Sequence, residues 1–509
     1  MTQGLETELK FLISEDNLQN IKSLVSSVKG ASPSHRQHLK ALYFDTQKQD
    51  LWKSGFTLRV RTNGKSHVQT VKRIVSSHVQ RQEWEAEVKG TSVELEQIKN
   101  TPLAPLIAKP RIRRDLGPAF KIDIERTSWM LDAEAAQIEA SFDRGFIEAN
   151  DKRLSVCELE LELKRGDRLG LFALARTFVS RAPLHPSLLS KGERGHLLAQ
   201  GQWGHAIKVS GLHLEREMTS RQAFQKIFHT CLHDFQLNQS GFVEFNEAEA
   251  VHQARIAIRR LRAAMVLFRP LVSDLEYRKL LGELKWLAGL LGAARDMDVL
   301  AESLPLLAAQ IQASTQAGEL TAHLEAKHHF AHQALVEALE SERGRMLLFD
   351  LAIWIEDGKW HSQVSGSEND LMTQFVRARL KKRRKKLVEQ GTDLINLPPH
   401  ERHQVRIEAK KLRYMAEFFL DVRGVAKDPK QFKQLIDYCE SLQGALGEIR
   451  DEEERVAFME AEAAENPANA TAPFPGSFAA DGSDSESFIK KQLQRAVRSY
   501  KKLVRIQPF

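Results

Sequence analysis

The chain has 509 residues, 42% apolar and 28% charged, with a net charge of +7 from 74 basic and 67 acidic residues. That length exceeds one ordinary core and implies two domains, and the excess of basic residues suggests a polyanionic partner. With no apolar run near 18 residues, no leader-like start, and only Cys157, Cys231 and Cys439 for thiols, the chain is expected in the cytoplasm, without a membrane span, a disulfide framework or a zinc motif.

In chain order, residues 1 to about 165 read mostly as short strands. The first carries ETELKF; others are expected over 38–44, 56–62, 67–73, 79–88, 121–129, 136–142 and 155–163. Asn63-Gly64 lies between TLRVR and HVQTVKR and signals a hairpin. A helix is expected over 15–28 with Ser14 as its N-cap, and two more over 167–181 and 188–199. Past Gly195, Gly201, Gly204 and Gly211 the apolar period lengthens to about 3.6 residues, so the chain is read as helical from about 217 onward. Residues 461–486, rich in Ala, Pro, Gly and Ser, are expected to form a mobile loop. The expected division is 1–203, a linker at 204–216, and 217–509.

The strands carry charge on alternate residues: Glu6, Glu8 and Lys10; Arg59 and Arg61; Glu83, Glu85 and Glu87; Glu158, Glu160 and Glu162. Alternation puts each set on one face, with Leu9, Leu58, Val60, Trp84, Leu159, Leu161 and Leu163 on the other. A single strand of this kind is an ordinary solvated face. Repeated over several strands and divided by sign, the pattern suggests a polar cavity with apolar residues outside. Lys10, Arg59, Arg61, Lys72 and Arg126 form a basic set; Glu6, Glu8, Glu83, Glu139, Asp143, Glu158, Glu160 and Glu162 form an acidic one. A phosphate chain with a divalent cation satisfies both signs, because basic forks hold the oxygens and carboxylates hold a hard ion.

The ordered pieces Glu6-x-Glu8-x-Lys10, LRVR, the lysine of TVKR, Arg126, Asp143, CELELEL and SKGERG at 190–195 resemble the CYTH superfamily, the triphosphate tunnel metalloenzymes. The resemblance implies an eight-stranded antiparallel barrel around a tunnel, making this half α+β with flanking helices. It implies metal ligation by Glu6, Glu8, Glu158 and Glu160, with Glu162 and Asp143 as further members, and Mg²⁺ or Mn²⁺ as cofactor. Lys10, Arg59, Arg61, Lys72, Arg126 and Lys191 become a phosphate clamp, Glu83 a further catalytic-site acid, and Arg194 either a mouth residue or an ion-pair partner.

The helical half contains an internal repeat. VHQARIAIRRLRAAMVLF at 251–268 matches RHQVRIEAKKLRYMAEFF at 402–419, and LLGAARDMD at 290–298 matches ALGEIRDEE at 445–453. Two duplicated four-helix bundles are expected. His252, Arg255, Arg259 and Arg262 share one helix face, as do His403, Arg406, Lys410 and Arg413. Neither stripe contains an acid, so an anion is expected opposite. These helices resemble the CHAD domain, which implies binding of long-chain inorganic polyphosphate. Without an aromatic stacking platform, nucleic acid is the disfavoured partner.

Together these readings anticipate a metal-dependent inorganic triphosphatase splitting tripolyphosphate into pyrophosphate and phosphate, with a polyphosphate-binding helical module. Thiamine-triphosphatase or adenylate cyclase activity, or a non-catalytic polyphosphate scaffold, are the alternatives.

Overall fold

The structure, a computed structural model, describes residues 2–73, 80–133, 136–209, 211–310, 315–362, 371–465 and 485–509. Its first half is one antiparallel sheet: β1 (Thr2–Leu12), β2 (His35–Asp45), β3 (Phe56–Asn63), β4 (Ser66–Arg73), β5 (Gln80–Glu87), β6 (Gly117–Ala133), β7 (Ala136–Ala149), β8 (Lys152–Gly166) and the two-residue β9 (His185–Pro186). The strand order is β5-β4-β3-β2-β6-β7-β8-β1-β9, and β5 also pairs with β1. Nine strands therefore replace the expected eight, and the expected closed barrel is not met along a full-length seam. Thr2–Thr7 of β1 pair with β5, whereas Glu8–Leu12 pair with β8, so the two ends of the order meet around one divided strand.

Local sequence accounts for the elements. The hairpin at Asn63-Gly64 is present, with Asn63 opposite Ser66 and Gly64 at φ 59°, a left-handed conformation that glycine adopts without penalty. Ser14 does not cap a helix. It accepts the Asn17 side-chain amide at 2.7 Å before a short 3-10 turn, and the helix itself spans Leu18–Ser26. Asp167 caps the Arg168–Arg181 helix and Ser190 caps Lys191–Ala199, each accepting a backbone N–H of the first turn.

The outward face of the strands is apolar. Leu9, Phe11, Leu159 and Leu161 bury against Leu171, Phe172, Ala175, Phe178 and Val179 of the Arg168–Arg181 helix. Full burial of one such side chain stabilises by about 1.5–3 kcal/mol. Leu58, Val60, Val71 and Trp84 are covered by Leu51, Ile98, Leu103, Ile107 and Ile112 from short helical turns. A third cluster departs from expectation: Leu39, Ala41, Tyr43, Phe120, Ile122 and Ile124 pack with Leu198. The interior is therefore charged over β1, β3, β4 and β8 and largely apolar over β2 and β6. The parity was readable, because Phe120, Ile122 and Ile124 precede Arg126 at two-residue steps.

The Lys191–Ala199 helix seals this interior, and two glycines let it approach. A Cβ on Gly195 would lie 2.1 Å from the Phe120 ring, and one on Gly192 would lie 3.0 Å from the Tyr43 ring. Phe120 has little room to move, being stacked on Tyr43 at 4.5 Å and edge-on to His196 at 4.9 Å.

Among the described residues, five helices run from Ser220 to Asp357 and four from Met372 to Arg505. The expected pair of four-helix bundles is thus not matched helix for helix. Of the expected loop at 461–486, the start is the end of the Pro429–Glu465 helix, the last two residues begin Ser485–Arg505, and 466–484 lie outside the described residues. No described helix is long and apolar enough to cross a membrane.

The halves are joined directly. Gln236 accepts the Leu188 N–H at 2.6 Å and donates to the Pro186 carbonyl at 2.8 Å, and His233 meets Glu193. Arg176–Asp350 and Arg168–Asp357 form ion pairs at 2.6 and 2.5 Å, and Phe349 enters the core beside Phe11. Between them, 204–216 carries neither helix nor strand in its described residues, yet Ile207 is bonded through both backbone groups to Asn238 and Leu214 is buried.

Gly195→Ala is expected to lower stability by about 1–3 kcal/mol through overpacking against Phe120. Gly282→Ala, in a helix with open space around it, should be neutral or stabilising by about 0.5–1 kcal/mol. Thermal or urea unfolding of the full chain checks both; equal midpoints for the two variants would contradict the close packing at Gly195.

Candidate active site

The register of the strands creates the site. Lys10 lies opposite Glu160, Lys72 opposite Glu83, and Arg126 opposite Asp143, so each cation of one strand meets an acid of its neighbour. Glu6, Glu8, Lys10, Arg59, Arg61, Lys72, Arg126, Glu160 and Lys191 line one cavity, together with Tyr43, Thr57, Ser190 and the apolar side chains of β2 and β6. Glu83, Asp143 and Glu158 stand immediately behind that lining, bonded to its cations.

At one end, Lys191 inserts its ammonium group among three carboxylates: Asp143 at 2.7 Å, Glu160 at 2.9 Å, and Glu158. Arg194 reaches Glu158 from the next turn of the same helix. Arg126 forks onto Asp143 with two bonds of 2.6 Å and holds Glu160 at 2.5 Å. Burial alone would raise the Glu160 carboxyl, yet Lys191, Arg126 and Lys10 hold it well below the usual carboxylate range. Burial likewise opposes the Lys191 charge, and Asp143, Glu158 and Glu160 reverse this and raise its pKa. Ligand atoms of Asp143, Glu158 and Glu160 lie within 4.8 Å of one another, an all-oxygen set suited to a hard divalent cation.

At the other end, Lys72 bonds Glu6 at 3.2 Å and also meets Glu83. Glu83 is pulled down to about 2: burial opposes, but Lys72, a hydrogen bond shared with Glu6 and the Arg59 charge prevail. Glu8 meets Lys10, which stands 3.7 Å from Glu160. Glu162 lies outside this network, held by Lys164 at 2.7 Å beside Glu139. Burial, then Glu6 and Glu139, raise the Glu162 carboxyl against the pull of Lys164, which marks an excess of negative charge along β1 and β8. The opposite excess sits on β3. Arg61 is lowered first by the adjacent Arg59 charge and then by burial, and its nearest acid, Glu85 on the rim, is 4.0 Å away.

The helical half brings the two stripes together. Lys410 is depressed to about 6 by burial, then by Arg259, Arg406, Arg255 and Arg413. Five cations from the Ala248–Val272 and Pro399–Glu417 helices therefore share one platform. The repeat recurs as geometry. Arg255 lies over Gly292 and Arg406 over Gly447, while Arg295 adds its charge beside His252 and Arg450 bonds His403 at 3.1 Å. Arg413 is tied to Glu417 at 2.7 Å and Gln443 at 3.3 Å. Arg262 lies beside Arg259 and, partly buried, loses basicity to burial and to that neighbour. Neither sequence stripe contains the supporting residues Arg295 and Arg450; their place in the repeated LGxxR segments was the available signal.

Two domain families match separate parts of the chain. The CYTH domain family matches residues 4–195 and the CHAD domain family matches residues 226–460. An inorganic triphosphatase of Haemophilus influenzae is 30% identical over 165 residues, covering 32% of this chain and 46% of that protein, so the match spans about half of that relative. An uncharacterized protein of Mycobacterium tuberculosis is 24% identical over 440 residues, 81% of this chain and 82% of its own. Among solved structures, the CHAD domain from the plant Ricinus communis is 24% identical over 59% of this chain and 97% of that one, with a TM-score of 0.46. A putative adenylyl cyclase from Hippeastrum, described as having a dominant triphosphatase activity, is 16% identical over 39% of this chain and 96% of its own, with a TM-score of 0.29. The chain belongs to the proteins that join an N-terminal CYTH domain to a C-terminal CHAD domain.

Proposed function

We propose that this protein is a cytoplasmic, metal-dependent inorganic triphosphatase that converts tripolyphosphate to pyrophosphate and phosphate, and that its helical half binds long-chain polyphosphate. The observation that carries the proposal is the separation of charge across one cavity. Arg59 and Arg61 crowd together on β3, while Glu6, Glu8 and Glu160 line the same cavity from β1 and β8. A cavity with both excesses suits a polyanion that arrives with a divalent cation.

Glu6, Glu8, Glu158 and Glu160 would hold Mg²⁺ or Mn²⁺, with Asp143 and Glu162 at the two ends of that wall. The ion supplies neutralisation of phosphate oxygens and polarisation of the reacting phosphorus. Arg59, Arg61, Lys72 and Arg126 hold the chain in line, and Lys10 and Lys191 balance the charge that grows on the oxygens. A water oxygen bonds to the terminal phosphorus, the bond to the bridging oxygen breaks, and pyrophosphate leaves with that electron pair. The water's proton passes to a wall carboxylate. The apolar floor of Leu39, Ala41, Ile122 and Ile124 favours one second reading, a triphosphate bearing an organic ring group that can lie against it, such as thiamine triphosphate.

Two expectations follow from the separate halves. Replacing both Glu6 and Glu8 by alanine should reduce metal-dependent phosphate release by roughly 100-fold or more. The assay offers tripolyphosphate, thiamine triphosphate and ATP in parallel and scores phosphate and cyclic AMP. Wild-type rates in the variant would refute the cavity as the site, and preference for another substrate would refute tripolyphosphate.

For the helical half, a bound polyanion restores the proton of Lys410, so polyphosphate affinity should fall as pH rises above about 6, by up to about tenfold per pH unit. Lys410→Arg should flatten that dependence at constant ionic strength. In the ligand-free chain the sign is opposite. The folded Lys410 binds its proton less tightly than the unfolded residue does, so its contribution to stability rises with pH above about 6.

A further inference from the structure

We propose that the helical half contains a second metal site, of different chemistry from the carboxylate cavity: Asp298 with His328 and His332, binding a borderline divalent cation such as Zn²⁺. Asp298 projects from the Leu275–Gln310 helix, and the two histidines lie four residues apart on one face of Thr315–Glu340. Both imidazoles bring Nε2 to the same oxygen, Asp298 Oδ1, at 2.9 Å from His328 and 2.7 Å from His332. Donor atoms of all three residues lie within 4.8 Å of one another.

Hydrogen bonding alone explains this arrangement poorly. The Asp298 side chain has no exposed surface, two donors crowd its one oxygen, and among the described residues the buried Oδ2 has no hydrogen-bond partner. Leaving a buried carboxylate oxygen unpaired is costly. A cation bound through Oδ2, or through both carboxylate oxygens, together with both Nε2 atoms at about 2.0–2.2 Å removes that cost. Each imidazole then carries its proton on Nδ1. Two nitrogen donors and one carboxylate select a borderline ion over Mg²⁺. His328, whose side chain is 25% exposed, leaves solvent access for a fourth ligand, whereas His332 is buried.

The internal repeat supplies an independent contrast. The residue matched to Asp298 is Glu453, and it is neutralised by Arg402 at 2.6 Å. One copy thus answers its carboxylate with a permanent cation and the other with two imidazoles, which supply a positive charge only when protonated or when an ion joins them. Asp298 is also three residues past Arg295, on the helix that backs Arg255 through Gly292. An ion here ties that helix to Thr315–Glu340 and steadies one wall of the basic platform.

The test uses the full chain, stripped of metal and saturated with Mg²⁺ to occupy the carboxylate cavity. Co²⁺ is added as a spectroscopic probe, the chain is desalted, and metal content and visible absorption are measured. One retained equivalent with a nitrogen-ligated, low-coordinate Co²⁺ spectrum is expected, and Zn²⁺ should displace it. His328→Gln and His332→Gln should each weaken retention by at least about tenfold. Should the buried His332→Gln fail to fold, His328→Gln decides. No retained Co²⁺ in the wild type, or equal retention in wild type and variants, would overturn the proposal. Either result leaves the triphosphatase reading untouched, because that reading depends on other residues and another ion.

Discussion

Pairing of buried charges across neighbouring elements is the constraint on which this structure depends. An isolated ion inside a sheet is prohibitively costly, and a half-paired network is worse than an apolar core. The chain meets the constraint by register: acids on β5, β7 and β8 stand opposite cations on β4, β6 and β1. The Lys191–Ala199 helix completes it, since Lys191 and Arg194 answer Glu158, whose strand neighbours are Leu12 and Asp143. The fold of the first half and the chemistry of its cavity are therefore one problem with one solution. A one-residue slip in any of these pairs would turn the charges outward and the apolar residues inward.

Much of this was legible because strand alternation is a period of two and survives without any tertiary information. Charge on Glu6, Glu8 and Lys10, or on Glu158, Glu160 and Glu162, is conspicuous against the ordinary apolar–polar rhythm. The apolar floor was harder to see, since Leu39, Ala41, Ile122 and Ile124 look the same whether they face a core or a cavity. The ninth strand could not be read from two residues, His185 and Pro186, and the divided pairing of β1 depends on how far the sheet curls. The stripes of the helical half were visible on a helical wheel. Their convergence on Lys410 was not, because a wheel describes one helix and the platform belongs to two.

The two halves use opposite electrostatic designs. The cavity pairs most of its charges across neighbouring strands and leaves the excess on Arg59 and Arg61. The platform gathers Arg255, Arg259, Arg406 and Arg413 around Lys410, which burial and then these charges depress. Compensated charge gives a preorganised site for a short, defined anion. A net excess of like charge gives a surface on which a bound anion relieves repulsion.

The contact of Gln236 with both Leu188 and Pro186 gives the sheet's last segment an anchor that is not its own. Pro186 pairs with Phe11 on β1, and five residues after it the helix carrying Lys191 begins. A displacement of the Ser220–Glu244 helix would therefore be felt at both the strand that bears Glu8 and Lys10 and the helix that bears Lys191. Mechanically, the seam between the halves is a shared hinge pin, and the Lys191 ammonium is braced in part from the neighbouring half.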